Sequence, residues 1–105
     1  MSGRGLKRQI NLIEEFRDYD ACVGIQTVFA FLVIVHRVYY RAETMRVMDV
    51  GIEMDTTSAS ASRNMAWLVK HKLIELYENP DKRIEKFIKL TKQGQKLVKR
   101  LELIE

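Results

Sequence analysis

The sequence predicts a mainly helical chain carrying one small β-hairpin, an α+β fold. Three observations point there. Apolar residues recur at three- and four-residue spacings over most of the chain, the mark of helices with one buried face. Between residues 74 and 90 the period changes to alternation around a turn-rich segment, the mark of a hairpin. The chain has 105 residues, a length that fits one domain, and residues 1–105 are taken as one.

The elements follow in order. Leu6, Ile10, Ile13 and Phe16 form a stripe on a first helix from about Arg4 to Tyr19. Asp18–Gly24 is a break. A second helix runs from about Ile25 to Tyr39, apolar nearly all round from Val28 to Val35, as a central core helix is. A buried strand over Phe29 to Val35 is the alternative, given its β-branched content. Met45 to Met54 is a short third helix with Val47, Val50 and Met54 inward. Gly51 lies within it, where it costs about 1 kcal/mol relative to Ala, so a close helix crossing is expected there. Asp55-Thr56-Thr57 is a turn with an N-cap signal. The fourth helix, about Ser58 to His71, turns Ala61, Met65 and Leu68 inward and leaves Ser58, Ala59, Ser62 and Arg63 outward. Ile74 and Leu76 alternate with Glu75 and Tyr77. Asn79 and Pro80 favour a turn, and Ile84 to Leu90 is the return strand. Thr91 caps a last helix from Lys92 to about Leu103, striped by Leu97, Leu101 and Ile104. No internal repeat is present.

Composition excludes several classes. With 47% hydrophobic and 30% charged residues the chain is too apolar for disorder and too polar for a membrane protein. The longest apolar run, Val28 to Val35, falls far short of the roughly 20 residues of a spanning helix. One cysteine excludes an internal disulfide and a cysteine-based zinc site. The chain shows no apolar leader behind its basic start, so a cytoplasmic protein is expected, in the host cytoplasm if phage-encoded. His36 and His71 lack companions at ligand spacing, and no phosphate loop or nucleophile motif is found. An enzyme, a metal site and a cofactor are therefore not expected.

The net charge of +4 is unevenly placed. Residues 1–62 carry seven Lys/Arg against eight Asp/Glu, whereas residues 63–100 carry eleven against four. Such a concentrated excess suggests an electrostatic footprint for phosphates, although a solvated charged face is the plainer alternative.

A short helix, tight turn and second helix, followed at once by a hairpin, is the plan of a winged helix-turn-helix. In that plan residues 45–71 are the helix-turn-helix and residues 74–90 the wing. The second helix of the pair enters the DNA major groove with its N-terminal residues. Small side chains allow close approach, and an arginine at the edge reaches guanine or phosphate.

At these residues the sequence resembles MarR-type regulators. Met45 to Met65 looks like their helix-turn-helix, and Lys70-His-Lys-Leu-Ile-Glu like the exit into the wing. Asn79-Pro-Asp-Lys-Arg followed by Ile88-Lys-Leu-Thr-Lys-Gln-Gly is similar to the wing signature, where Leu-Thr-x-x-Gly opens the next helix. The likeness covers roughly residues 45–100 well and residues 5–40 by layout. It implies a homodimer binding duplex DNA sequence-specifically and regulating transcription, with repression the expected direction. By matching positions it implies DNA contacts from Thr57, Ser58, Ala59, Ser60, Ser62 and Arg63 in the major groove. Lys82 and Arg83 at the wing tip are then expected on the minor groove or phosphates. Residues 1–20 and 91–105 become outer dimerisation helices, joined through Leu6, Ile10, Ile13, Phe16, Leu97, Leu101 and Ile104. No membrane partner is implied, and no small-molecule effector is specified.

The sequence departs from the family pattern in places. Asp55 stands where the family usually has a turn glycine and Lys72 where a glycine follows the recognition helix; Asp is a residue that tolerates the left-handed conformation. Asp81 sits one residue further from Leu90, so a longer wing tip is expected. A compact phage- or plasmid-type regulator would suit the length.

Each feature has a plainer alternative. The serines could be a capping region, and Arg63, Lys82 and Arg83 ordinary surface charges. Trp67 is expected at the edge of the core under the hairpin rather than on a base, with Tyr77 a similar case. Tyr39 and Tyr40 anchor the core helix. Met45, Met48, Met54 and Met65 are core fillers. Cys22 has acidic neighbours that disfavour its thiolate, so redox sensing is not favoured. The alternative function is a winged-helix interaction module whose Ala/Ser face docks an acidic protein such as a polymerase subunit.

Overall fold

The computed structural model describes residues 3–20, 22–82 and 85–102. Helix α1 spans Gly3–Tyr19 and α2 spans Ile25–Ile34, continuing through a π-helical stretch, Val35–Tyr40. Helices α3 (Val47–Glu53) and α4 (Ser58–Lys70) follow, then strands β1 (Ile74–Glu78) and β2 (Lys86–Leu90), and helix α5 (Lys92–Glu102). The order is the expected one, and the strand alternative for Phe29 to Val35 is set aside by a continuous helix.

The strands pair antiparallel, with Ile74 opposite Leu90, Leu76 opposite Ile88 and Glu78 opposite Lys86. The third helix begins two residues later than expected because Met45 and Arg46 are extended. The Ile88 N–H donates to the Met45 carbonyl at 2.9 Å, and Arg46 bridges to Phe87. This short segment ties the start of α3 to the outer edge of the wing.

One core joins all the helices to the hairpin. Phe16, Phe31, Ile34, Met45, Met65 and Leu68 are fully buried in it. Burying side chains of this size supplies roughly 1.5–3 kcal/mol each. Four expectations are corrected by how it packs. Helix α1 turns Leu12 and Phe16 into the core and leaves Ile10 and Ile13 exposed, so its inward stripe is rotated. Met48 and Leu76 are exposed, because α3 uses Val50, Gly51 and Met54 and β1 uses Ile74 for its buried contacts. Trp67 packs against α1 rather than under the hairpin: its ring stacks on Phe16 at 5.7 Å and lies edge-on to Tyr19. Tyr40 is exposed, its hydroxyl donating to Glu102, whereas Tyr39 packs against the core as expected.

The turn residues explain their own positions. A Cβ at Gly51 would touch the Ala61 Cβ at 3.4 Å, the close α3–α4 crossing that the sequence predicts. Asp55 and Lys72, where the sequence resemblance implies glycines, adopt φ of 53° and 62°. Ala42 does the same after the π-helical stretch, with φ 52°. Thr91 accepts from the Gly94 N–H at 2.9 Å and donates to the Lys72 carbonyl at 2.6 Å. A Cβ at Gly94 would fall 2.2 Å from the Leu73 carbonyl oxygen. Leu-Thr-x-x-Gly is thus the device that locks α5 onto the exit of α4.

Candidate nucleic-acid interface

Helix α4 is built to be held at one end and open at the other. Thr57 caps it, its hydroxyl accepting from the Ser60 N–H at 3.1 Å. Ala61, Asn64, Met65 and Leu68 form the buried face. Asn64 is the polar member, and its carboxamide oxygen accepts from the Thr27 hydroxyl of α2 at 3.1 Å. A buried polar pair of this kind fixes the position of α4 on α2, since displacement would leave both groups unsatisfied. Among the described residues no buried side-chain polar atom lacks a partner.

The outer face of the first two turns holds Ser58, Ala59, Ser62 and Arg63, all exposed. Ser60 is half-buried, and its hydroxyl receives bonds from Thr57 and, at 3.2 Å, from the Arg63 guanidinium. The arginines of the helix-turn-helix differ sharply. Arg46 is tied to Asp49 at 2.9 Å and to Glu85 at 3.2 Å, pinning α3 to the base of the wing. Hydrogen bonding from Arg46 holds the Asp49 carboxyl below the usual carboxylate range. Arg63 meets no carboxylate among the described residues. Its remaining guanidinium donors face solvent, next to a helix N-terminus that itself favours anions.

Between the strands, the described residues of the wing tip are Asn79 to Lys82 and Glu85. The Asn79 side chain accepts from the Asp81 N–H at 2.9 Å and donates to Glu85 at 3.0 Å, linking the two sides of the tip. Lys82 is exposed at this tip; Arg83 lies outside the described residues. Between α3, α4 and the wing runs a groove of about 690 Å³, lined by Met48, Ile52, Leu76, Ser58 and Ser62 among others. Among the described residues no group of three His, Cys, Asp or Glu could hold a metal ion, and no helix is long and apolar enough to cross a membrane.

The residues assigned to dimerisation divide. Phe16 and Leu97, expected at an interface, are instead fully buried in the chain's own core and offer no surface. Leu101 is partly buried against that core, while Ile10 and Ile13 face solvent. The side chains of Leu6 and Ile104 lie outside the described residues. Sequence reasoning missed Arg46, Thr27 and Asn64 as organisers of the site. Asn64 carried a signal, a polar residue on the inward face three residues after Ala61; Arg46 carried one only toward Asp49, three residues on, because its other partner, Glu85, is distant in sequence.

No family model matches the chain, and no curated protein matches it in sequence. Solved structures do. The chain is similar to S. aureus MepR in complex with DNA, at 20% identity and a TM-score of 0.73, covering 92% of this chain and 72% of that one. A mutant MarR from E. coli complexed with operator DNA gives 17% identity and a TM-score of 0.67, covering 95% and 66%. The transcriptional regulator Tm0710 from Thermotoga maritima gives 12% and 0.69, covering 92% and 63%. The fold is therefore the winged-helix fold of these MarR-type regulators. The chain spans about two thirds of their length.

Proposed function

We propose that the chain is a transcriptional regulator that binds duplex DNA sequence-specifically as a homodimer and acts as a repressor. Helix α4 enters the major groove, with Thr57, Ser58, Ala59, Ser60, Ser62 and Arg63 against base edges and adjoining phosphates. The wing lies on the minor groove and its phosphates through Lys82 and Arg83. The observation that carries this reading is the open N-terminal end of α4: small exposed side chains, an exposed helix terminus capped by Thr57, and an arginine without a carboxylate partner among the described residues. Solved neighbours of the same fold include MepR and MarR bound to DNA, which supports the docking mode. Two half-sites are expected about one helical turn apart, roughly 34–36 Å.

Fluorescence anisotropy tests this. The protein is titrated into labelled duplex from the region upstream of its own coding sequence, and into a scrambled duplex of equal composition, at several salt concentrations. Tighter binding to the upstream duplex that persists as salt rises supports the reading. Equal binding that vanishes with salt reduces it to a non-specific phosphate contact. An absence of binding at low salt overturns it in favour of a protein-docking module.

A further inference from the structure

We infer that the exposed lysines at the exit of α4 and along the outer face of α5 form a second phosphate-binding surface, which holds the backbone of a duplex segment other than the one at the N-terminal end of α4. This goes beyond the function proposed above, and its phosphate contacts do not depend on base reading by α4.

The basic excess of residues 63–100 is not gathered at the open end of α4. Of its eleven Lys/Arg, the proposed reading face uses three, Arg63, Lys82 and Arg83. Lys86 and Arg100 are paired with Glu78 and Glu15. The other six are exposed lysines that meet no carboxylate among the described residues. Lys72 and Lys92 adjoin, because the Thr91 hydroxyl donates to the Lys72 carbonyl at 2.6 Å. Lys92, Lys96 and Lys99 follow at i, i+4 and i+7, within roughly 60° of one another around the helix. They stand opposite the buried Gly94, Leu97 and Val98, and so face away from the core and from Leu101. Lys70 and Lys89 have acidic neighbours, Asp20 and Glu75, and lie at the margin of the strip. Lys92 also opens α5, where the helix dipole disfavours a cation, and the first turn has no acidic residue to offset it. Helix stability therefore does not account for a lysine there.

The chemistry of the strip selects its occupant. Lysines are depleted in protein–protein interfaces, which favour aromatic residues, methionine and arginine. The side chains between these lysines are Gln93 and Gln95, with no aromatic ring on which an unpaired base could stack. The apolar face of α5 is spent in the core, so the helix has nothing to insert into a lipid surface. A backbone of evenly spaced phosphates fits. Lys92 to Lys99 spans about 10 Å, the length of about three phosphates along one strand of a duplex.

Distance separates this surface from the reading end. The 13 residues of α4 place its exit about 20 Å from Ser58. The major groove is about 8.5 Å deep. With the first turn of α4 on base edges, the strip stands roughly 10 Å outside that duplex, beyond the ~8 Å screening length at physiological salt.

The test uses the full chain as wild type, as the triple variant Lys92→Gln/Lys96→Gln/Lys99→Gln, and as Arg63→Ala. Fluorescence anisotropy follows binding to the labelled scrambled duplex over a salt series, and circular dichroism confirms each fold. Each phosphate contact adds about 0.9 to the slope of log affinity against log salt. The triple variant is expected to lose about 2–3 from that slope with no fall in melting temperature, and Arg63→Ala at most about 1. Should the triple variant unfold, Lys96→Gln alone decides, with an expected loss of about 1. With duplex in excess, sedimentation velocity is expected to find more duplex per chain for wild type than for the triple variant. A triple variant with the wild-type slope overturns the phosphate surface. A reduced slope with an unchanged ratio of duplex to chain overturns the second duplex and places these lysines on the same one as α4. A wild type that binds no duplex at low salt overturns both this inference and the proposed function. A wild type without preference for the upstream duplex, whose triple variant still loses slope, removes the sequence-specific reading and upholds this surface.

Discussion

The two ends of helix α4 are built on opposite principles. From Asn64 onward every contact restrains it. Asn64 is bonded to Thr27, Trp67 stacks on Phe16 and donates to Asp20 at 3.2 Å, and Leu73 is buried with its carbonyl against Gly94. Before Asn64 the outer face is made of short side chains and one arginine that no carboxylate among the described residues holds. On the proposed function, the restrained end removes freedom that the helix would otherwise lose on binding DNA, and the open end keeps its donors for the duplex. The two arginines of the helix-turn-helix repeat the contrast: Arg46 is paired with Asp49 and Glu85, whereas Arg63 meets no carboxylate among the described residues.

Substitutions at the restrained end should cost stability and leave base preference alone. The largest effect is expected from Gly94→Ala. Its Cβ would sit 2.2 Å from a backbone oxygen that cannot move without displacing the α4 exit, so a loss of about 3 kcal/mol or more is expected in chemical denaturation. A melting midpoint equal to wild type would show that the α4 exit is not locked as described. Thr27→Val comes next. It preserves shape but leaves the Asn64 carboxamide oxygen buried without its donor, for a loss of about 1–3 kcal/mol. Combining it with Asn64→Leu should cost less than the sum of the two single changes, and simple additivity would deny the coupling.

The smallest effect concerns pH. Arg46 holds Asp49 low, the Cys22 and Trp67 N–H groups hold Asp20 low, and Arg37 holds Glu43 low. A carboxyl with a depressed folded-state pKa contributes stability above its unfolded pKa and loses it as pH falls through the folded value. The melting temperature should therefore be flat down to about pH 5 and decline below about pH 4. Asp49→Asn should start from a lower plateau at neutral pH and decline less steeply; a decline identical to wild type would remove the α3–wing clamp from the acid response.

How much of this was legible in the sequence differs by residue, for physical reasons. Gly51 and Asp55 were readable because a glycine inside a helix and an aspartate in a tight turn each call for a steric explanation, whereas Leu-Thr-x-x-Gly was readable only through its resemblance to the family signature, its contact with Leu73 lying 21 residues away. The outward placing of Ser58, Ala59, Ser62 and Arg63 was readable because helical period alone determines it. The phase of α1 was not. Leu12 and Ile13 are adjacent and equally apolar, so only the packing of Phe16 on Phe31 and Trp67 decides which one turns inward. The same holds for Met48 and Leu76, whose exposure follows from where α3 and β1 find their neighbours. The Arg46–Glu85 and Thr27–Asn64 links join residues 39 and 37 positions apart, beyond any local pattern. At the wing, Lys82 falls at an exposed tip as expected, and Arg83 lies outside the described residues.

The central claim is that the open end of α4 reads base sequence through Arg63. The most direct test is fluorescence anisotropy of Arg63→Ala beside wild type, each on the preferred and the scrambled duplex at one fixed salt concentration. The expected result is a loss of about 1–3 kcal/mol on the preferred duplex, a much smaller loss on the scrambled one, and an unchanged melting temperature. Binding of Arg63→Ala to both duplexes with wild-type affinity and wild-type preference would contradict the claim.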